Sequence, residues 1–383
     1  MITHPVPPIS RRTFVQLTLG TLAAWLSGCR TGTPPPTATE PVPPTAALRS
    51  TPTATAVPPS YTPVPATPTS PPPPIATSMP VGGRPVAGRE ALMAHWPATE
   101  KSRVVVVRHD GVWNGDVPDP AVVLQMLDAS LSTLADIPDA LAVWRALFDP
   151  GERVLLKVNC IAYGGPTQPA VTYAVAQRLQ EAGLRAQDIL IFDRADDELE
   201  AAGYTVNHGG TGVQCHGARG KGTEAPLTQA RVRFYQEFDA CDAIINLPIP
   251  KQHGTAGISV ALKNHYGSVD RPGALHGSRC DPAIAELNAQ PNVREKTRLI
   301  VGAALNVSPG DWNQPERENA LLLSFDPVAL DTVARDILVR HRQAQGQGVG
   351  QLINGARHLL TAQSLGLGAT DAGLMDLREM TLG

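Results

Sequence analysis

The sequence is poor in charged and aromatic residues, which make up 17% and 4% of its 383 positions. Neither sign of charge is in clear excess, because 32 Lys and Arg stand against 35 Asp and Glu, a net charge of −3. Domains that bind nucleic acid normally carry a basic surplus. The composition therefore argues against nucleic acid as a partner.

Cysteine is scarce as well, with five residues and no Cys-x-x-Cys pair. A ferredoxin-type iron–sulfur cluster therefore has no binding motif. Two of the cysteines stand near a histidine, but at no spacing typical of structural zinc, so we predict no metal site. For the thiols beyond residue 100, one or two disulfides and buried unpaired thiols are alternatives. Those residues are Cys160, Cys215, Cys241 and Cys280.

The signatures of several common enzyme classes are missing. No Gly-x-Gly-x-x-Gly motif opens a helix after a strand, and neither a Walker A loop nor a Gly-x-Ser-x-Gly elbow is present. Nucleotide-dependent and serine-hydrolase chemistry are therefore disfavoured. Long apolar runs are missing too, since the run at 14–26 is too short for a comfortable transmembrane span.

This short apolar run is the centre of an export signal. Arg11 and Arg12 precede it, with Phe14 two places on, which resembles the twin-arginine pattern, and the Leu-Ser-Gly-Cys tetrad that ends at Cys29 resembles a lipobox. We predict that residues 1–28 are a signal peptide and that lipidated Cys29 anchors the protein to the extracytoplasmic face of the bacterial cell membrane. An ordinary secretory signal is the alternative. Many twin-arginine passengers carry a cofactor, but the pattern does not identify one.

Proline is abundant in one segment. Of the 37 prolines, 18 lie in residues 31–85, which are otherwise mostly Thr, Ala and Ser with almost no charge. Such a segment buries too little apolar surface to offset the entropy of ordering it. In a polyproline conformation it would hold a domain on the order of 150 Å from a membrane. We predict that residues 29–85 are a disordered linker and residues 86–383 a globular domain.

From Arg103 onwards, short apolar runs alternate with amphipathic stretches. Apolar strands that alternate with helices indicate the α/β class, with a largely parallel sheet flanked by helices on both faces. The region 204–240, rich in glycine, is predicted to be an excursion from this pattern. Strands are predicted at 104–107, 154–158, 189–192, 243–247, 299–305 and 320–325. Helices are predicted at 120–134, 169–182, 196–202, 327–342 and 351–365.

Polar side chains follow the ends of the predicted strands, where ligands bind in open α/β sheets. Lys157 and Asn159 end one strand and point to the same face, because side chains alternate along a strand. Lysine is depleted in strands, so its presence there calls for a reason. Asp193 ends the next strand, although an aspartate at this position also commonly begins a turn.

The stretch 248–267 is the richest in such groups. Two lysines, two histidines and a tyrosine lie within 16 residues, and no acid accompanies them. Lysines in this setting suit a carboxylate or phosphate, and histidine is the natural acid or base near neutral pH. We therefore predict His253 and Lys263 as catalytic residues, with Lys251 and Asn264 beside them. A solvated surface loop is the alternative interpretation.

Taken in order, these segments resemble the family called domain of unknown function 362, over about residues 103–342. The stretch Lys263–Gly267 matches the family's Lys-Asn-x-x-Gly signature, and Asp326–Asp331 matches its Asp-Pro-Val-Ala-Leu-Asp pattern. Looser matches are the strand end at Val154–Asn159, the helix entry at Gly165–Pro169 and the Lys-x-His element at Asp242–His253.

Two departures from the family pattern bear on activity. Val158 stands where the family has proline, and the run 300–304 lacks the acid that the family tends to place there. The resemblance therefore implies the fold and the placement of the site more than the reaction. The residues predicted to bind substrate are Lys157, Asn159, Thr167, Asp193, Lys251 and Asn264.

Two functions fit these residues. In the first, the protein is an enzyme that acts on a small anionic, carboxylate-type substrate by proton transfer or redox chemistry. His253 is then the acid or base, the lysines hold the anion, and Asp331 is either a structural partner or a catalyst. In the second, the protein is a surface lipoprotein that captures a ligand or partner without catalysis.

Overall fold

The computed structural model describes residues 101–161, 164–310 and 314–383. The predicted signal peptide, Cys29 and the proline-rich linker lie outside these residues. Within the described ranges, no helix combines the length and the apolar character that a membrane crossing requires.

Eight of the strands form one sheet, and the others pair as small hairpins. The strands of the described residues, numbered in chain order, are β1 (Ser102–His109), β2 (Trp113–Asn114), β3 (Val117–Pro118), β4 (Val154–Lys157), β5 (Ile189–Phe192), β6 (Gln214–His216), β7 (Lys221–Pro226), β8 (Arg231–Tyr235), β9 (Ala243–Asn246), β10 (Lys251–His253), β11 (Gly257–Ser259), β12 (Thr297–Val307), β13 (Glu316–Ser324) and β14 (Met375–Leu382).

The order across the sheet is β14-β1-β13-β12-β9-β4-β5-β6. Neighbouring strands run parallel except at β13, which is antiparallel to both β1 and β12. The prediction of a largely parallel α/β sheet flanked by helices is confirmed.

Helices pack on both faces of this sheet. In chain order they are α1 (Pro120–Ala135), α2 (Ala140–Leu147), α3 (Pro169–Ala182), α4 (Asp196–Ala201), α5 (Gln236–Ala240), α6 (Ala261–Asn264), α7 (Ala283–Asn288), α8 (Pro291–Arg294), α9 (Pro327–Ala344), α10 (Gly350–Gly355) and α11 (His358–Ser364). Short 3-10 turns lie at Ala186–Asp188, His265–Ser268, Pro272–Cys280 and Ala372–Leu374.

The sheet separates two hydrophobic cores. In β1, Val104 and Val106 belong to one core, and Val105 and Val107 to the other, because successive side chains point to opposite faces. All four are fully buried, which explains why the strand is an uninterrupted apolar run rather than an alternating one. The helices α1, α2 and α3 cover the second core, and α9 covers the first.

The structure departs from the sequence prediction in several elements. The region 204–240 contributes a sheet strand, β6, and the hairpin β7–β8, whose polar exposed faces hide the strand pattern. The helix predicted at 351–365 is broken into α10 and α11. Strand β14 was not predicted, because at the sheet edge its side chains are mostly exposed or half-buried and carry no apolar run.

The four cysteines of the described residues are buried, unpaired thiols. Of the two alternatives for these residues, the structure therefore shows buried thiols rather than disulfides. Burial raises the pKa of the Cys241 thiol to about 11 and that of Cys215 to about 12. Both thiols are therefore protonated and unreactive at neutral pH.

Candidate active site

A cleft of about 330 Å³ lies beyond the carboxyl ends of β4, β5 and β9. This is the edge of the sheet where ligands bind in open α/β folds. Seven of the eight predicted site residues line it: Lys157, Asn159, Asp193, Lys251, His253, Lys263 and Asn264. The lining also includes Arg194, Ser259, Tyr266, Gly267 and His276.

One wall of the cleft is a buried ion pair. Lys157 Nζ lies 2.8 Å from Asp193 Oδ1, and the two side chains are 1% and 5% exposed. The Asp193 carboxylate also accepts the backbone N–H of Cys160 at 2.6 Å and of Arg194 at 2.9 Å. Gly267 leaves room for the pair, since a Cβ there would lie 2.8 Å from both charged atoms. The charge of Lys157 is therefore compensated, and its ammonium is held in place.

A chain of side-chain amides runs from Lys251 into the core. Lys251 Nζ donates to Asn159 Oδ1 at 2.9 Å and to the Ile161 carbonyl at 3.0 Å. Asn159 Nδ2 donates to Asn264 Oδ1 at 3.1 Å, and Asn264 Nδ2 donates to Asn246 Oδ1 at 2.7 Å. Because each amide is fixed by the next, the position of the Lys251 ammonium is set by strand ends on both sides of the cleft.

Thr167 is the predicted binding residue that does not line the cleft. Its hydroxyl is fully buried, donates to the Leu247 carbonyl at 2.7 Å and accepts the Asn159 backbone N–H at 3.0 Å. Both contacts are made with the protein's own backbone. Thr167 therefore supports the loop that carries Asn159, rather than facing a ligand.

Lys263 also lines the cleft and is 8% exposed. Its Nζ stands 4.3 Å from the centre of the Tyr266 ring, over the ring face. No carboxylate of the described residues forms an ion pair with it. Burial without a compensating acid lowers the pKa of Lys263 to about 8.

Lys251 is buried as deeply. Burial lowers the pKa of Lys251 to about 7, and the positive charge of Lys263 lowers it further, while Asp193 and Cys160 act in the opposite direction. An ammonium with this pKa loses its proton in part at neutral pH. The cleft therefore holds two lysines that can exchange a proton near pH 7–8.

His253 is a neutral imidazole with a fixed tautomer. Its Nδ1 accepts the backbone N–H of Thr255 at 3.2 Å and of Ala256 at 3.0 Å, so the ring proton resides on Nε2. Burial lowers the pKa of His253 to about 3, with further contributions from Lys263 and His276. The predicted acid or base is therefore a hydrogen-bond donor through Nε2–H at neutral pH, and the titrating groups are the lysines.

Two histidines of this site were not among the predicted residues. The His276 ring lies 5.5 Å from the His253 ring and 5.3 Å from the Tyr266 ring, centre to centre. His358 is 1% exposed, and neither of its ring nitrogens has a hydrogen-bond partner among the described residues. Burial and the charge of Lys263 lower the pKa of His358 to about 3. His276 stands in a 3-10 turn and His358 begins α11. Neither follows a strand end, so the pattern of polar residues at strand ends does not identify them.

Asp331 has a structural role. Its carboxylate accepts the backbone N–H of Ala261 at 2.7 Å and of Leu262 at 3.1 Å, at the start of α6. Burial raises the pKa of Asp331 to about 8, and the two backbone hydrogen bonds oppose that shift. Since α6 carries Lys263 and Asn264, Asp331 positions these two residues without lining the cleft.

The arrangement of possible metal ligands is a further feature of the described residues. Across the described ranges, no group of three or more His, Cys, Asp or Glu side chains is arranged to hold a metal ion.

Comparisons with known proteins agree with the sequence resemblance. Residues 154–336 match the family model described as Domain of unknown function (DUF362). A thylakoid-associated protein of Synechocystis sp. is 30% identical over 226 residues, which cover 54% of this chain and 70% of that protein. A crystal structure of a Thermotoga maritima protein has a TM-score of 0.38 at 14% identity, and the match spans 60% of each chain. The family match and the identity and coverage of the Synechocystis relative show that the chain belongs to the DUF362 family.

Proposed function

We propose that the cleft is the active site of an enzyme that moves a proton on a small carboxylate substrate. The observation that carries this proposal is the charge of the described lining, which holds four basic side chains and one acid. The acid, Asp193, is already paired with Lys157. An anion that enters the cleft therefore meets Lys251 and Lys263, and the described lining holds no second carboxylate that would repel it.

Proton transfer is the chemistry that suits these groups best. A general acid or base works most efficiently when its pKa lies near the working pH, which is the case for Lys251 and Lys263. The Nε2–H of His253 supplies a fixed donor for an oxygen that gains negative charge during the reaction. In this arrangement Lys251 holds the carboxylate and Lys263 takes or gives the proton.

Capture of the same ligand without turnover is the second candidate function. The low pKa of His253 favours it, because an imidazole that stays neutral is a poor base and a good hydrogen-bond donor. Binding alone needs the lysines and the amide chain, whereas turnover also needs proton exchange at the ligand's carbon.

We expect carboxylate binding to be accompanied by proton uptake. An anion beside Lys251 and Lys263 raises their pKa, so at pH 8 both lysines become more protonated in the complex. Titration calorimetry with acetate, lactate and pyruvate in buffers of different ionisation enthalpy measures this uptake. The affinity is expected to fall as the pH rises from 7 to 9.

Two variants separate the outcomes of that titration. Lys263→Met should weaken binding at least tenfold and reduce the uptake, whereas Lys221→Met, which removes an exposed lysine paired with Asp270, should change neither. Binding without proton uptake, or no binding of any carboxylate, would contradict the proposal. Ligand binding without exchange of the ligand's C–H hydrogens in deuterated water would favour capture over catalysis.

We also propose that the enzyme works at the outer face of the cell membrane on a proline-rich linker. The paired arginines ahead of the apolar run and the lipobox at Cys29 support this location. The printed name of the Synechocystis relative, a thylakoid-associated protein, is in keeping with a membrane location.

Replacing Arg11 and Arg12 by lysine should leave the protein in the cytoplasm, because the twin-arginine pathway reads this pair. Cys29→Ala should permit export but release the protein from the membrane. Cell fractionation with a radioactive fatty-acid label measures both effects. Export of the double lysine variant at the normal level would show that an ordinary secretory signal is used instead.

A further inference from the structure

We infer that Lys263 forms a Schiff base with the carbonyl carbon of a 2-oxo acid, an inference that rests on the proposed function and names its substrate class. The three lysines that line the cleft differ in what holds their ammonium groups. Lys157 is paired with Asp193, and Lys251 donates to Asn159 and Ile161. Lys263 faces an aromatic ring, with no hydrogen-bond acceptor among the described residues.

A lysine must be neutral to act as a nucleophile. Desolvation and a neighbouring cation are the two devices that produce a neutral amine near pH 7. For Lys263 the device is desolvation, since the side chain is 8% exposed and its ammonium faces a ring, with no hydrogen-bond acceptor among the described residues. Its pKa of about 8 is consistent with this placement. Lys157 is not the candidate nucleophile, because its ammonium is paired with a carboxylate 2.8 Å away.

The remaining groups of the cleft match the other parts of a 2-oxo acid. Lys251, at the end of the amide chain, faces the carboxylate, whose negative charge favours the ammonium form of this lysine. The Nε2–H of His253 is the donor for the carbonyl oxygen, because backbone N–H groups occupy its Nδ1. The cleft measures about 330 Å³, a volume at the small end of the range for ligand sites. This volume suits a short-chain acid.

The covalent step balances without a further reactant. The Lys263 Nζ lone pair attacks the carbonyl carbon, and the C=O π pair moves to oxygen, which receives one hydrogen from Nζ. The C–O bond then breaks, and the oxygen leaves as water with the second Nζ hydrogen, so that a C=N bond remains. No oxidant or reductant is consumed. When the imine nitrogen takes up a proton from solvent, the resulting iminium draws electrons from the adjacent C–H bond and makes it more acidic.

Reductive trapping tests this inference on the whole exported protein. With pyruvate and sodium borohydride together, hydride adds to the imine carbon and a solvent proton to Nζ, which leaves a stable carboxyethyl group. We expect one such group per chain, located by peptide mass spectrometry on Lys263. Neither reagent alone should give it, and the exposed Lys101 and Lys221 should stay unmodified.

The matched control is Lys263→Arg, which keeps the positive charge but cannot form an imine, because the guanidinium is not deprotonated. It should lose the adduct completely, while calorimetric binding of propionate, which has no carbonyl, should persist. If this variant does not fold, the site of modification in the unaltered protein decides the question.

The outcomes separate the inference from the proposed function. Pyruvate that binds with proton uptake but gives no adduct overturns the Schiff base and leaves the carboxylate site in place. An adduct on Lys101 or Lys221 but not on Lys263 also overturns it. If neither pyruvate nor propionate binds, the proposed function itself fails.

Discussion

Replacing Asp193 by asparagine should lower the free energy of unfolding by about 3–5 kcal/mol, because it leaves Lys157 as a buried charge without a partner. The amide also lacks the charge that strengthens the two backbone hydrogen bonds to the carboxylate. Since these contacts join the loops that follow β4 and β5, the wall of the cleft should loosen together with the fold. Urea denaturation of the two proteins at pH 7 measures the difference.

Two further variants test this explanation. Asp116→Asn removes a fully exposed partner of Arg317 and should produce no measurable change. Adding Lys157→Met to Asp193→Asn removes the unpaired charge, so the double variant should recover part of the lost stability. A double variant that is less stable than Asp193→Asn would show that packing around the pair, rather than charge, determines its contribution.

Lys251→Met should change how stability depends on pH. In the native protein the pKa of Lys251 is about 7, against 10.5 for the ordinary side chain, so between these values the unfolded chain binds more protons than the folded one. Stability contributed by this group is therefore lowest below pH 7 and rises up to about pH 10.5. Each unit of pKa corresponds to about 1.4 kcal/mol, so the rise amounts to several kcal/mol. The Lys251→Met variant should lack this rise in stability with pH.

The difference between the two proteins isolates Lys251. Lys263, Asp331 and the Cys241 thiol also titrate between pH 7 and 11, but they do so in both proteins. Urea denaturation at pH 7, 8.5 and 10 should show a steeper rise for the unaltered protein, and Lys221→Met should behave like it. Equal slopes for Lys251→Met and the unaltered protein would mean that Lys251 is not desolvated in the folded state.

Much of the fold and of the cleft follows from local patterns. Branched apolar runs place β4, β5 and β9, and the parallel arrangement brings their carboxyl ends to one edge. Lys157 and Asp193 therefore meet because Lys157 ends β4 and Asp193 directly follows β5, and the family resemblance adds Lys263 and Asn264. Thr167 shows the limit of the family resemblance, because a polar residue at a helix entry beside the site can serve the backbone instead of a ligand.

Other features depend on contacts between distant parts of the chain. His358 begins a helix far from the strand ends in the sequence, and its approach to Lys263 depends on how α11 packs against α7 and α9. The tautomer of His253 depends on two backbone N–H groups of the turn that follows it. The deep burial of Lys251 and Lys263, which sets their protonation, is a property of the assembled cleft.

The position of β1 in the sheet has a consequence for synthesis of the chain. Its two neighbours are β13 and β14, so residues 102–109 find their partners only among residues 316–324 and 375–382. At roughly 5–20 residues per second, a ribosome takes on the order of tens of seconds to make the intervening chain. During that time four consecutive valines have both strand edges unpaired, which is a hazard for aggregation. We expect this segment to be the part of the nascent chain that depends most on chaperones.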